Sequence, residues 1–369
     1  MVLPSWVAIP GPVRARVALR FIVTTLKAKI NDLARDSMTN VERFRRALRG
    51  EPVDRLPMIE WASWWDRTID RWRGEGLPAE VSGSEAIRAH FGLDVFHQLW
   101  VRPRAASCPQ APSHGAPIVR SADQYDRLVR DGSLYPRTAF DADALKPWAA
   151  RQAAGEAVFW LTLEGFFWYP RTLLGIEPHL YAFYDEPELM HRMNADLAAH
   201  HLQVIDAVCR IATPMFMTFA EDMSYNHGPM LSRELFDAFI APYYRRIVPA
   251  LAERGITVLV DSDGDVTELI PWLIDVGVEG LLPLERMAGV DVAAIRENHP
   301  QFIMIGGYDK TVMHRGEAAI RAEFERLLPT MRSGRFIPSV DHQTPPGVSL
   351  DQYRTYVELL GEYCRKAAQ

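Results

Sequence analysis

From Pro57 onward the chain alternates short apolar runs with longer amphipathic stretches. The runs are PMIEWAS, GLDVFHQLW, VFWLTLEGFFWYP, PMFMTFAEDM, TVLVDSDG, GLLPLER, FIMIGGYDK and RFIPSVDHQTP. Each is of strand length and rich in β-branched or aromatic residues, and the stretches between them carry helical period and helical punctuation. Ser121 with Gln124 and Ser349 with Gln352 have capping-box spacing, and Pro187 suits the first turn of a helix ending near Ile211. Ser232 opens a helix that Gly255 stops and that Pro242 should kink. Eight strand-like runs alternating with helices in about 310 residues predict parallel β/α units closed into a (β/α)8 TIM barrel, in preference to an open doubly wound sheet. The Pro-, Ala- and Ser-rich stretch from Arg102 to Pro147 reads as a small insertion over the barrel mouth.

The most informative run is TVLVDSDG, in which an apolar strand, Thr257 to Val260, ends in Asp261, Asp263 and Gly264. Carboxylates at i and i+2 at a strand end can turn toward one pocket, where they hold a proton, a cation or a cationic substrate group. The plain alternative is helix capping, which suits Asp265 best, ahead of a helix beginning near Val266. Other predicted strand ends are polar too. They offer Glu60, Arg67 and Arg71 after the first run, Glu164 in the third, and Glu221, Asp222, Tyr225 and His227 in and after the fourth. Later runs offer Glu285, Asp309, Lys310, Asp341 and His342. Local readings exist for several of these: Asp309 and Lys310 as a rim ion pair, His227 as a loop residue. Aromatics gather at the same ends, with Trp61, Trp64, Trp65, Trp168 and Tyr169 among them. A mouth lined by aromatics and acids suits a partly apolar or cationic small molecule.

The chain of 369 residues, 48% hydrophobic and 24% charged with net charge -6, has an ordinary globular balance. The acidic balance argues against nucleic acid, and no usual nucleotide cradle, GxGxxG or GxxxxGK[ST], follows any run. Cys108, Cys209 and Cys364 form no CxxC pair, which fits a reducing, cytoplasmic setting and supplies no thiolate metal cluster. Residues 1–37 contain a basic amphipathic segment, with Arg14, Arg16, Arg20, Lys27 and Lys29, too short and too charged to span a membrane. They read as a peripheral N-terminal extension to a domain of residues 38–369.

The segments ERFRRALRGEPVDRLP, FAEDMSYNHGPMLSRELFDAFIAPYYRRI, VDSDGDV, PLERMAGVDV, IGGYDK and PSVDHQTPPGVS resemble the uroporphyrinogen decarboxylase superfamily, which also contains cobalamin-dependent methyltransferases. The resemblance covers nearly everything after Met38. It implies a barrel enzyme, either a methyltransferase passing a methyl group between a small methylated substrate and a corrinoid carried by a partner protein, or a decarboxylase acting on a tetrapyrrole. A noncatalytic barrel that binds a tetrapyrrole or a partner is the third reading, and a homodimer stays open. The decarboxylases it resembles carry an Arg-rich loop after the first strand. Here Arg67 and Arg71 keep a four-residue spacing but lie further from the strand. The zinc-dependent methyltransferases use a His-x-Cys pair after strand five and a later cysteine. Here Asp261-x-Asp263 and Asp341 or His342 stand in those places, which leaves room for a harder site of oxygen and imidazole ligands for a divalent metal such as zinc. No covalently bound cofactor is implied. On this reading Asp261, Asp263, His342, Glu221 and Asp222 carry the chemistry, with Asp261, Asp263 and His342 as the metal candidates. Trp64, Trp65, Arg67, Arg71, Glu164, Tyr169, Tyr225, Glu285 and Asp309 would hold the substrate.

Overall fold

The computed structural model describes residues 36–368, and a compact unit begins at Asn40. The expected extension, 1–37, lies outside the described residues save its last two positions. Seven of the eight expected runs form strands of one curled parallel sheet. They are β1 (Phe96–Val101), β2 (Val158–Glu164), β3 (Phe216–Ala220), β6 (Thr257–Asp261), β7 (Gly280–Leu282), β8 (Ile303–Tyr308) and β9 (Phe336–Val340), neighbours in that order. A small antiparallel hairpin, β4 (Ser224–Tyr225) with β5 (Gly228–Pro229), follows β3. Spatial order equals chain order, as expected when each strand returns through a helix to the next place in a parallel sheet.

The first expected strand departs from prediction. Pro57–Trp61 lies beside both edges of the sheet without forming a ladder, so among the described residues β9 and β1 are not joined by strand pairing. The Trp61 indole donates to the Val340 carbonyl (2.8 Å), the Trp61 amide to Ser339 Oγ (3.2 Å), and the Asp94 amide to the Met58 carbonyl (2.8 Å). The donors of this run are taken by side chains: Pro57 has none, and the Met58 amide goes to Asp94 Oδ2 (2.9 Å), a carboxylate itself gripped by Arg55. An eight-strand closed barrel is therefore corrected to a curled seven-strand sheet with an irregular segment along its seam.

Side-chain alternation explains the concave face. Ile59, Phe96, Val158, Trp160, Phe216, Leu259, Leu282, Ile303, Ile305 and Ile337 form one buried cluster, joined by Phe44, Ala47 and Leu48 of the helix Asn40–Arg49. Phe44 stacks on Phe216, the first residue of β3, so this helix plugs the N-terminal end. Next along the strands comes a polar layer, with Gln98 donating to Thr162 (2.9 Å) and Thr162 paired with Thr218 (2.7 Å). Beyond it, Glu164 pairs in register with Ala220, and Ala220 with Asp261. Chemistry is thereby confined to the C-terminal end, above an apolar floor.

Helix punctuation is mostly local, as read. Ser349 forms the full capping box with Gln352. Ser121 accepts from the Gln124 amide, but the Gln124 side chain takes the Arg120 amide instead of the Ser121 amide. The expected kink at Pro242 is a break: one helix ends at Phe239, and Pro242 sits in the first turn of a second, Ala241–Ala252. The segment between β1 and β2 leans on the helix Trp168–Leu174, with Ile118 and Val119 amides donating to Leu173 (both 2.8 Å). None of the described helices is long and apolar enough to cross a membrane.

Candidate functional site

A cavity of about 710 Å³ opens at the C-terminal ends of the strands. Asp261, Asp263 and Asp222 form one wall with His342, and Trp61, Trp100 and Trp168 contribute aromatic surface. Asp261 is the last residue of β6, and its carboxyl group has no hydrogen-bond partner among the described residues. Burial holds it protonated well above the usual carboxylate range, and the Asp222 and Asp263 charges push the same way. Asp263 is pushed up to about 7 by burial, then by Asp222 and Glu285, against Lys310. Asp222 is raised by burial too. Its backbone stands at φ +39, a left-handed turn after β3, and its Oδ1 accepts the Asp263 amide (3.3 Å). His342 Nε2 lies 3.5 Å from Asp263 Oδ2, and its ring meets Trp61 edge-on. Burial lowers the His342 pKa.

Asp263 is held from behind. Gly264, at φ +84, passes so near the Tyr225 backbone that a Cβ would sit 2.8 Å from it, and its amide donates to Glu285 Oε2 (3.0 Å). Lys310 Nζ bonds Asp341 Oδ1 (3.0 Å), and Asp341 also accepts the Arg286 and Lys310 amides, so one buried carboxylate ties together the ends of β7, β8 and β9.

Several expected site residues are placed elsewhere. Glu221 is fully buried and turned from the cavity: Tyr244 donates to it (2.6 Å), as do the amides of Phe166 (2.9 Å), Phe167 (2.8 Å) and Trp168 (3.3 Å), at the start of the helix after β2. Tyr169 is buried with its hydroxyl on the Pro103 carbonyl, and Trp64 is buried against Trp72 and Tyr353. Trp65 and Arg67 face solvent, while Arg71 bonds Glu75 and the Pro346 carbonyl. Tyr225 and His227 are exposed on the hairpin. Asp309 caps the turn at Thr311 instead of pairing with Lys310. Asp265 accepts the Thr267 amide, as a turn-capping acid does. Glu60 lies buried behind the wall, bonded by Tyr356 (2.6 Å). Glu164 does line the cavity, taking the Trp100 indole (3.2 Å).

The expected metal ligands are not gathered. Among the described residues no three His, Cys, Asp or Glu side chains stand close enough to hold an ion, and Asp261, Asp263 and His342 do not converge on one point. The residues do not fit a resident zinc, and the chemistry below passes through none.

Sequence reasoning overlooked Arg88, Arg102 and Arg104, all of which line the cavity. Their signal was present: WVRPR, which ends β1 and continues past it, spaces Trp100, Arg102 and Arg104 two residues apart, and all three line the cavity.

Residues 111–363 match the family model for uroporphyrinogen decarboxylase (URO-D). The chain is 22% identical over 300 residues to the methylcobamide:CoM methyltransferase MtbA of Methanosarcina acetivorans, covering 73% of this chain and 83% of that protein. Its fold is similar to that of a methyltransferase from Methanosarcina mazei, with TM-score 0.59, 15% identity, and coverage of 89% of this chain and 99% of the other. The chain thus belongs to the uroporphyrinogen decarboxylase family.

Proposed function

We propose that this chain is a methyltransferase that moves a methyl group between a small methylated substrate and a corrinoid held by a partner protein, and that residues 38–369 are its working unit. The observation that carries the reading is Asp263, a carboxyl group raised to about 7 beside Asp222, Asp261 and His342 in an aromatic-walled cavity. The relative MtbA, by its name a methylcobamide:CoM methyltransferase, supports it. The corrinoid would supply the nucleophile that takes the methyl group. Breaking the methyl–heteroatom bond leaves its electron pair on oxygen, nitrogen or sulfur, and a proton delivered there lowers the barrier. Asp263 Oδ holds such a proton near neutral pH because it is buried, and Asp222 and Glu285 keep it there by opposing a further negative charge. His342, 3.5 Å from Asp263 Oδ2, would restore the Asp263 proton after turnover as a relay, giving up its Nε2 proton while its Nδ1 takes one from solvent. In the reverse direction the same carboxylate takes the proton from the attacking group.

Arg88, Arg102 and Arg104 favour a second reading, decarboxylation of a tetrapyrrole whose carboxylates they would grip. The two separate in one experiment: the purified chain is given cob(I)alamin with methyl ethers, methylamines or methyl thioethers, and in parallel uroporphyrinogen. Methylcobalamin formation is the expected result. Carbon dioxide release from uroporphyrinogen without any methylcobalamin would replace methyl transfer by decarboxylation.

A further inference from the structure

The cavity is lined by both signs of ionisable group. Asp222, Asp261 and Asp263 come from the ends of β3 and β6, and Arg102 and Arg104 from the chain just after β1. Neither arginine forms an ion pair among the described residues. Arg102 lies over the Trp100 ring, its guanidinium carbon 5.5 Å from the ring centre. The backbone beneath them is fixed: Arg104 bridges to Leu134, and the Pro103 carbonyl between them accepts the Tyr169 hydroxyl (3.0 Å) and the Tyr135 amide (2.9 Å). Beside them Glu164, 4% exposed, lines the cavity with Oε1 on the Trp100 indole and Oε2 without any partner. Burial raises its pKa against the Trp100 hydrogen bond and the Arg104 and Arg102 charges, and in the protonated form the unpartnered oxygen is a donor.

Two guanidiniums without carboxylate partners and a buried acid with a spare donor position make a site for an anion, since arginine forks match carboxylates and charge-assisted bonds are the strong ones. The Asp222, Asp261 and Asp263 carboxyls would repel that anion whenever they ionise and offer it no guanidinium, so they also set the direction of binding. We infer that the substrate carries a carboxylate that docks on Arg102 and Arg104 beside Glu164, with its apolar body between Trp61, Trp100 and Trp168 and its reacting end toward Asp263 and His342. Only the identity of the reacting end rests on the proposed methyl transfer.

The test uses the full chain and reads binding, not turnover. Benzoate serves as the probe carboxylate, followed by tryptophan fluorescence and calorimetry. It should bind the native protein, and the double variant Arg102→Gln, Arg104→Gln should bind it at least about tenfold more weakly, the scale of losing charge-assisted hydrogen bonds. Benzyl alcohol, the same body without charge, should bind both proteins equally, and an unchanged melting curve should show that the variant folds. Equal benzoate binding by the two proteins, or no binding to either, would overturn the inference. So would tighter binding of benzyltrimethylammonium than of benzoate, since the acidic wall would then choose the ligand. Uroporphyrin binding more tightly than benzoate, with the same arginine dependence, would give the arginines to a tetrapyrrole and overturn the small-substrate assignment. A chain that binds benzoate as expected yet transfers no methyl group would refute the proposed function and leave this subsite standing.

Discussion

His342 Nε2 stands 3.5 Å from Asp263 Oδ2, joining the loop that follows β9 to the acids at the end of β6. Both groups are shifted toward their neutral forms, Asp263 upward to about 7 and His342 downward, in each case mainly because they are buried. A proton passed from Asp263 to His342 would leave a carboxylate–imidazolium pair, and burial of both groups favours its return, which suits a site that must deliver a proton and recover it.

Asp263→Asn should lower kcat by about a hundredfold, the usual worth of a positioned acid, and leave KM within a few-fold. In the native enzyme the rate of leaving-group protonation should fall as pH rises through about 7, where Asp263 loses its proton. Steady-state kinetics from pH 5.5 to 8.5 on both proteins check this. An unaltered pH limb in the variant would remove Asp263 from the role.

Glu221 should prove structural. Glutamine cannot accept at both of its terminal atoms, so Glu221→Gln leaves at least one of the three amides opposed by a donor, at a cost of about 2 kcal/mol. Denaturant unfolding should show that loss, and benzoate affinity should stay within a few-fold, because the side chain faces away from the cavity.

Glu60 gives a pH signature of its own. Burial lifts it to about 8, against the Tyr356 hydrogen bond. With the folded value above that of an unfolded glutamate, its stabilising share is complete below the unfolded value and is lost as pH rises toward about 8. Glu60→Gln keeps an acceptor for Tyr356 and cannot ionise. Its unfolding free energy should therefore gain on that of the native protein by about 1.4 kcal/mol per pH unit between pH 5 and 8. A constant gap across that range would contradict the assignment.

Gly264→Ala should disturb the site and not merely the loop. The new Cβ meets the Tyr225 backbone at 2.8 Å, and φ +84 is strained for alanine, so the turn that aims Asp263 must shift. A loss of stability of about 1–3 kcal/mol is expected, together with a fall in kcat larger than any change in KM. Thermal unfolding and kinetics measured together would show it.

Much of the fold was legible because apolar runs such as Thr257–Val260 and Ile303–Ile305 have no stable place except between helices and a core. Pro57–Trp61 misled because its apolar pattern fits a strand while its donors are spent on Asp94 and Ser339, a tertiary choice invisible in composition. At the site, Asp261, Asp263 and His342 were legible as polar ends of separate strands. Glu221 was not, since adjacent strand-end acids face opposite sides and only the amides after Glu164 decide which one turns outward. Tyr169 and Trp168 show the same ambiguity, one buried under Pro103 and the other on the cavity wall. Arg102 and Arg104 reach the cavity from the bend after β1, whose backbone is set by the Tyr169 and Tyr135 bonds to Pro103, tertiary contacts that strand periodicity does not show.

The central claim is that a protonated Asp263 supports methyl transfer. Its most direct test is methylcobalamin formation from cob(I)alamin and a methyl donor, followed by absorbance from pH 5.5 to 8.5 with native protein and Asp263→Asn. The account predicts formation by the native chain that declines through about pH 7 and is nearly abolished in the variant. Equal formation by both proteins at every pH would contradict it.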